Sequence, residues 1–236
     1  MKIYIKFIAF SVFFAFTQVA IASNMADSVT EEKKINAFTI LKIKGNFNVV
    51  FTEAKSSSLK VTASDKDAMA SIDVKSTPTA LTINQKDGAT GTATLYIGLK
   101  DIQQIAININ GTVSTTNSID PGELTLNIDG NVSGTIMLDV KLLNYTSSSS
   151  KALVLKGKAK QSNFKDSGEG SVDASELKTD NLTLDDSSDG DLKIYAHPEM
   201  HVKLEGSGGL TYYGNPRIKT FRVGGQATEK QIVESK

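Results

Sequence analysis

A pair of mostly apolar residues, spaced i and i+2, recurs seven times through the second half of this sequence. The steps between the second members of successive pairs are 19, 19, 19, 20, 20 and 19 residues. The pairs are Ile105/Ile107, Leu124/Leu126, Leu143/Tyr145, Ser162/Phe164, Leu182/Leu184, Val202/Leu204 and Phe221/Val223. A fixed period with one such pair per repeat indicates one short strand per repeat, stacked on the strand before it. The sequence therefore predicts a β-solenoid.

Small and polar residues follow each pair in register and predict a corner. The first column reads Asn110, Asp129, Ser148, Ser167, Ser187 and Ser207, and the second reads Gly111, Gly130, Ser149, Gly168, Ser188 and Gly208. Asn, Asp and Ser side chains bond to their own backbone at turns, and Gly reaches positive φ without a steric clash. A second apolar position follows at Val113, Val132, Ala152, Val172, Leu192 and Leu210. We therefore predict a right-handed parallel β-solenoid of about seven coils of 19–20 residues.

The N-terminal half has a different pattern. Residues 38–83 contain four or five runs with period-two apolar spacing, separated by Asn, Gly, Lys and Ser clusters. This spacing is typical of short strands in antiparallel meanders, and residues 64–70 predict a single helical turn opened by a Ser/Asp cap. We expect these strands, partly antiparallel, to cap one end of the coils, because stacked coils leave exposed strand edges.

The domain boundaries follow from these patterns and from the N-terminus. Lys2 and Lys6 precede an apolar run at 7–16, and Ala20 and Ala22 form an A-x-A cleavage site, so residues 1–22 are predicted to be a signal peptide. Residues 23–36 are polar and are expected to be a flexible leader. A single domain spans 37–225, with capping strands at 37–103 and coils at 104–225, and a polar tail covers 226–236.

Composition limits the classes of partner. The chain has 26 basic and 26 acidic residues and no cysteine. A charge balance of this kind gives no electrostatic footprint for nucleic acid, and the lack of cysteine excludes disulfides and thiol chemistry. With the signal peptide removed, we expect no membrane span and export to the periplasm, the cell surface or the extracellular space.

Several strings resemble one known family. They are residues 107–111 (INING), 164–172 (FKDSGEGSV), 204–208 (LEGSG) and 212–216 (YYGNP), together with the opening pattern at 38–49. They are similar to the repeating Ser-Gly-x-Gly coils of the "putative auto-transporter adhesin, head GIN domain" family, a domain of unknown function common in exported bacterial proteins. The resemblance covers about 38–225. It implies a β-solenoid and a surface-adhesion role, and it supplies no set of functional residues.

One corner is richer in oxygen ligands than the others. Asp185, Ser187, Asp189 and Gly190 match the first half of a calcium-binding loop, in which alternate oxygens converge and glycine permits a tight bend. The twelfth position of that loop is Ala196 instead of the bidentate Glu that such loops use. The competing interpretation is a solvated corner whose Asp and Ser side chains cap backbone groups. Calcium at Asp185, Ser187 and Asp189 is the one cofactor candidate, and no other cofactor is predicted.

Sequence patterns that would indicate catalysis are weaker than the calcium-loop pattern. Asp185, Asp186 and Asp166 could supply the paired carboxylates of a glycoside hydrolase, if they share a deep acidic cleft. His197 and His201 are four residues apart, but Pro198 lies between them and prevents a regular helix, so they do not form the helical zinc motif. No G-x-S-x-G elbow is present. We therefore predict no catalytic residues.

The predicted function is that of an exported, non-catalytic binding or adhesion module whose ligand is an unidentified surface glycan or protein. It would bind through a flat solenoid face or by strand addition at an exposed end. A carbohydrate-active enzyme on a short β-helix is the first alternative. An envelope scaffold or stress-response component is the second.

Overall fold

The computed structural model describes residues 28–224, 226 and 228–232, and it is almost entirely β-structure. The predicted signal peptide and the far ends of the predicted leader and tail lie outside these residues. The strands form one sheet that winds into a β-solenoid. The elements are β1 (Val29–Lys33), β2 (Ile40–Gly45), β3 (Phe47–Glu53), β4 (Ser58–Ala63), α1 (Lys66–Ala70), β5 (Ile72–Ser76), β6 (Ala80–Gln85), β7 (Ala93–Leu99), β8 (Gln104–Thr115), β9 (Glu123–Ser149), β10 (Leu153–Asp166), β11 (Val172–Asp186), β12 (Leu192–Tyr195), β13 (Glu199–Leu204), β14 (Gly209–Tyr213), β15 (Arg217–Val223) and β16 (Thr228–Ile232).

The predicted parallel stacking of coils is confirmed. Strands β8, β9, β10 and β11 pair in parallel in that order. Beyond β11 each coil divides into two strands, so that β13 and β15 continue one side and β12, β14 and β16 continue the other. Inward residues such as Leu126, Leu143 and Leu184 are buried, while their neighbours point outward. The alternation places a continuous apolar core inside the coils.

Two steps of the predicted ladder are wrong by two residues. Ile107 pairs with Ile128 instead of Leu126, and Leu184 pairs with Val202 instead of Leu204. A shift of two residues keeps every side chain on the same face of its strand, so apolar spacing alone cannot distinguish the two registers. The second apolar column contains a related error, because Leu153 is the buried residue and Ala152 is exposed.

The solenoid has about six turns, which corrects the predicted seven coils. The sequence count was a count of inward pairs, and seven strands that are stacked in order enclose six complete turns. Within a turn, the backbone bends at Gly157, where φ is +112°. A Cβ at this position would overlap the carbonyl oxygen of Leu138 on the coil before it, so this bend requires glycine.

The boundary between the cap and the coil stack differs from the prediction. β2 and β3 belong to the stack, because both pair in parallel with β8. The chain leaves the stack after β3 and returns at β8, and this excursion breaks the period that the later coils follow. Leu41 therefore pairs with Ile105, which is 64 residues further along the chain.

The excursion forms the predicted cap. Its antiparallel pairs are β4 with β7 and β5 with β6, while β6 and β7 join the stack in parallel through β2 and β3. The predicted helical turn is present as α1. The Asp65 side chain caps it by accepting a hydrogen bond from the Ala68 amide at 2.7 Å. The expected meander is therefore only partly antiparallel.

Two segments expected to be irregular contain strands. Val29–Lys33, in the predicted leader, forms β1 and pairs antiparallel with β4. Thr228–Ile232, in the predicted tail, forms β16 and pairs in parallel with β14. Both are edge strands, which need only backbone hydrogen bonds to one neighbour and no alternating apolar residues. Their polar composition therefore gave no strand signal.

Candidate functional site

One side of the coils presents an exposed and regular polar surface. Alternate residues of β8, β9, β10 and β11 point outward, and the inward residues between them are buried. The outward residues of successive strands form two columns. We call this surface the polar face and define it by Gln104, Ala106, Thr125, Asn127, Asn144, Thr146, Asn163, Lys165, Thr183 and Asp185. Strands in a sheet lie about 4.8 Å apart, so each column repeats its side chains at that interval.

Side chains of successive coils are joined by hydrogen bonds across the polar face and its corner. The Asn163 amide donates to the Asn144 side-chain oxygen at 2.9 Å. At the corner, the Ser148 hydroxyl donates to Asp129 at 2.6 Å, and Ser150 and Asn131 form a further pair. These bonds restrict the rotamers of the surface side chains. A ligand that binds here therefore meets donors and acceptors that are already ordered.

The three calcium candidates bind separate neighbours. Asp185 lies 3.6 Å from the Lys203 ammonium, the Ser187 hydroxyl donates to the Asp166 carbonyl oxygen at 3.3 Å, and Asp189 accepts from Ser207 at 2.5 Å. Each contact links one coil to the next. Within the described residues, no group of three or more His, Asp or Glu side chains is placed to hold a metal ion. Calcium binding at this corner stays a prediction.

The acids of the hydrolase alternative do not form a cleft. Asp185 points outward, whereas Asp166 and Asp186 are buried, with 1% and 2% of their surfaces exposed. Asp166 and Asp186 are in register on neighbouring strands and each accepts a hydrogen bond from the backbone N–H two residues later, at 3.1 and 3.0 Å. Their carboxylates thus hold the corner turn from inside. The three acids therefore do not form the deep acidic cleft that would favour the hydrolase alternative.

Burial perturbs both internal carboxyls. Loss of solvation raises the pKa of Asp166 to about 6, and the nearby Asp186 carboxylate adds to the increase. Burial likewise raises the pKa of Asp186. Among the described residues, no basic side chain forms an ion pair with either one. Desolvation also raises the pKa of Tyr145, which lies buried near Ser147 and Asp166. The corner interior therefore favours the protonated form of Asp166 more than water does, and at neutral pH the fold contains a buried carboxylate there.

The two histidines bond to the following coil. His197 Nδ1 lies 3.3 Å from the Asn215 carbonyl oxygen, and His201 Nδ1 lies 3.4 Å from the Thr220 hydroxyl. His201 points outward from β13, as its place beside the ladder residue Val202 predicts. Neither ring has the environment of the helical zinc motif, which places two imidazoles on one face of a helix.

An acidic cleft that the sequence did not reveal adjoins the polar face. It encloses about 600 Å³ and brings together Glu53, Asp101, Asp120 and Glu123. Burial raises the pKa of Glu53, and the negative charges of Asp120 and Asp101 raise it further. A 3.3 Å hydrogen bond from the Asp120 amide lowers the pKa, but by less than burial raises it. Asp101 and Asp120 are 19 residues apart, which is one period of the repeat. This spacing was the one feature of the sequence that could have placed the two acids side by side on neighbouring coils.

The fold and its surface define a small parallel β-solenoid with an inserted cap and a polar outer face. The comparison with protein families agrees with this class. The model of the family described as "Putative auto-transporter adhesin, head GIN domain" matches residues 37–216. The chain therefore belongs to this family, and the resemblance stated from the sequence is confirmed.

Solved structures show the same fold. A "putative adhesin" from Bacteroides fragilis aligns with a TM-score of 0.79 at 20% identity, covering 87% of this chain and 97% of that one. A "putative adhesin" from Parabacteroides distasonis aligns with a TM-score of 0.68 at 16% identity, covering 88% and 98%. A "putative lipid binding protein" from the same species aligns at 0.64 and 16%, covering 86% and 96%. At these identities the likeness concerns the fold.

No curated protein matches the sequence. Across the described residues, no helix has the length and apolar character needed to cross a membrane.

Proposed function

We propose that this protein is an exported, non-catalytic binding module that attaches to a surface glycan or protein through its polar face. The observation that supports this most directly is the row of outward polar side chains on successive coils, two of which, Asn163 and Asn144, are joined by a 2.9 Å hydrogen bond. A flat array of amide and hydroxyl groups suits a ligand rich in hydroxyl groups. Membership of an adhesin family supports the same role.

The experiment is a binding survey with a matched pair of variants. The purified chain is applied to a glycan array and to fractions of bacterial and host cell surfaces. Thr183→Arg places a bulky cation on the polar face, and Ser114→Arg places it on the neighbouring side of the coils, where Ser114 is also exposed. We expect retention of the wild type and of Ser114→Arg, and loss of retention for Thr183→Arg. Equal retention of both variants would remove the polar face from the proposal.

A carbohydrate-active enzyme is the second candidate, and the acidic cleft favours it. Glycosidic cleavage needs one carboxyl with a raised pKa beside an ionised one. Glu53 has the raised pKa, and Asp120 lies beside it. Incubation of the chain with polysaccharides, followed by chromatography of the products, tests this candidate. Cleavage that Glu53→Gln abolishes would replace the binding proposal.

An envelope scaffold is the third candidate, and the open C-terminal end of the stack favours it. Among the described residues, β15 pairs with β13 alone and β16 with β14 alone, so each has one edge on which a partner strand could add. Crosslinking in intact cells would then recover one constant protein partner. Retention on purified glycans without any protein would favour the binding module instead.

A further inference from the structure

A second concave surface lies on the cap. It is formed where the chain leaves β1 and passes over the outer surface of β4 and β7, and it encloses about 520 Å³. That volume falls in the range typical of small-molecule sites. We call it the cap cleft and define it by Lys34, Ile35, Ser57, Lys60, Tyr96 and Gly98.

Tyr96 gives the cap cleft an exposed aromatic surface. Its side chain points outward from the middle of β7, and the residue is 40% exposed, whereas most large apolar residues of the chain are buried. Gly98 follows on the same face of β7, and a Cβ there would overlap the Ser58 hydroxyl. The glycine therefore lets the turn before β4 pack close to β7 beside the Tyr96 ring.

The charge around the cap cleft is positive. Lys33, Lys34 and Lys60 line it with one acid, Glu32, and Lys33 also forms a 2.6 Å ion pair with Glu31, so these five side chains carry a net charge of +1. The Lys60 ammonium lies 4.6 Å from the centre of the Tyr96 ring. It lies over one face of that ring, so a bound sugar ring would stack on the other face, with its anionic group paired to this ammonium.

The cap cleft also contains a hydroxyl with no partner. The Ser57 side-chain oxygen is buried, and it makes no hydrogen bond within the described part of the chain. A buried hydroxyl without a partner costs free energy. A small shift of the Ser57 turn would let a bound ligand supply the missing hydrogen bond.

We propose that the cap cleft binds an acidic sugar residue, a pyranose ring that carries a carboxylate. The C–H face of the ring would stack on Tyr96, the carboxylate would pair with Lys60 and Lys34, and ring hydroxyls would bond to Ser57. A lipid fits less well, because lysines and serines interrupt the apolar part of the lining. This inference rests on the proposed function, since it names a ligand class for a binding module.

The experiment titrates the full chain with trigalacturonate, with uncharged galactotriose and with decanoate, by isothermal titration calorimetry. We expect saturable binding of trigalacturonate at least tenfold tighter than binding of either other probe. Tyr96→Ala and Lys60→Glu should each weaken it tenfold or more, while Tyr96→Phe retains it. Lys44→Glu, on an exposed lysine of β2 outside the cleft, is the matched control and should have no effect.

The opposite results are equally clear. Absence of trigalacturonate binding, equal binding of galactotriose, tighter binding of decanoate, or full binding by Tyr96→Ala would each overturn the acidic-sugar assignment. Thermal melting of each variant checks that it is folded. If trigalacturonate does not bind but Thr183→Arg still abolishes the retention of the chain on surface glycans, only the cap cleft fails and the proposed function stands.

Discussion

The coil stack and the inserted cap are built by different rules. In the stack, one residue pattern is repeated, so outward side chains lie in straight columns and the surface is flat. In the cap, the pattern is interrupted, the strands pair partly antiparallel, and the surface is concave around Tyr96. Repetition thus gives an extended array for many weak contacts, whereas interruption gives a pocket for one ligand residue.

The sharpest test of this comparison asks whether the two regions fold as one unit. β2 and β3 pair with β8 on one side and with cap strands β6 and β7 on the other, so one cooperative domain is expected. Ile128→Ala in the stack and Leu59→Ala in the cap each remove a buried side chain, and each should lower the free energy of unfolding by about 3 kcal/mol. Urea denaturation should show a single transition in both variants.

Thr146→Ala, at an exposed position of the polar face, is the control for this pair. It should change stability by less than about 0.5 kcal/mol. Two separate transitions, with Leu59→Ala shifting only one of them, would show that the cap is an independent domain.

A smaller change in the free energy of unfolding is expected when a buried polar residue of the stack is substituted. The inward column reads Ile107, Ile128, Ser147, Asp166, Asp186 and Leu204, so polar residues replace apolar ones only in its middle. Asp166→Asn removes the buried charge and keeps the oxygen that accepts from the Gly168 amide. At pH 7.5 it should stabilise the protein by about 2 kcal/mol, measured by urea denaturation.

Asp185→Asn is the matched control, because Asp185 lies on the neighbouring strand beside Asp186, the partner of Asp166, and points outward. It should leave stability within about 0.5 kcal/mol of the wild type. Equal effects of the two substitutions would mean that the buried position of Asp166 carries no special free-energy cost.

The pH dependence of the wild type follows from the same corner. The pKa of Asp166 is about 6 in the folded protein, above its value of ~3.9 in an unfolded chain. Its contribution is therefore fully present below about pH 4 and is lost as the pH rises through 6. Other carboxylates act oppositely in acid, so the comparison is made against Asp166→Asn. The stability difference between the two proteins should shrink from pH 7.5 to pH 4.5, and a constant difference would contradict the assignment.

The smallest change in stability is expected on adding calcium. Since Asp185, Ser187 and Asp189 each contact a different neighbour, we expect no change in melting temperature between excess calcium and a chelator. A ligand that binds the native state must raise the melting temperature. A rise that Asp189→Ala abolishes would restore the calcium site.

The sequence predicted well which side chains point inward, because that follows from the spacing of apolar residues. It predicted poorly which residues of neighbouring coils pair, because that depends on the register of the strands. The inward pairs, the Ser and Gly corners and the capped helix at Lys66–Ala70 follow from local pattern. The pairing of Ile107 with Ile128 does not, because a two-residue shift preserves the facing. The burial of Asp186 was missed for a different reason, because β11 continues inward alternation from Leu182 and Leu184 to Asp186, where a solvated corner was predicted.

Sites formed by residues distant in sequence were also beyond prediction. The cap cleft joins Ile35, Ser57 and Tyr96 through antiparallel pairing that no period specifies. β1 was hidden because an edge strand with polar side chains has no apolar alternation to detect.

The most direct test of the central claim is the retention of the purified chain on purified surface glycans, with the glycans recovered and analysed afterwards. The account predicts saturable retention that Thr183→Arg abolishes and Ser114→Arg preserves, with the recovered glycans unchanged in length. No retention on any surface, or recovery of shortened glycans, would contradict it.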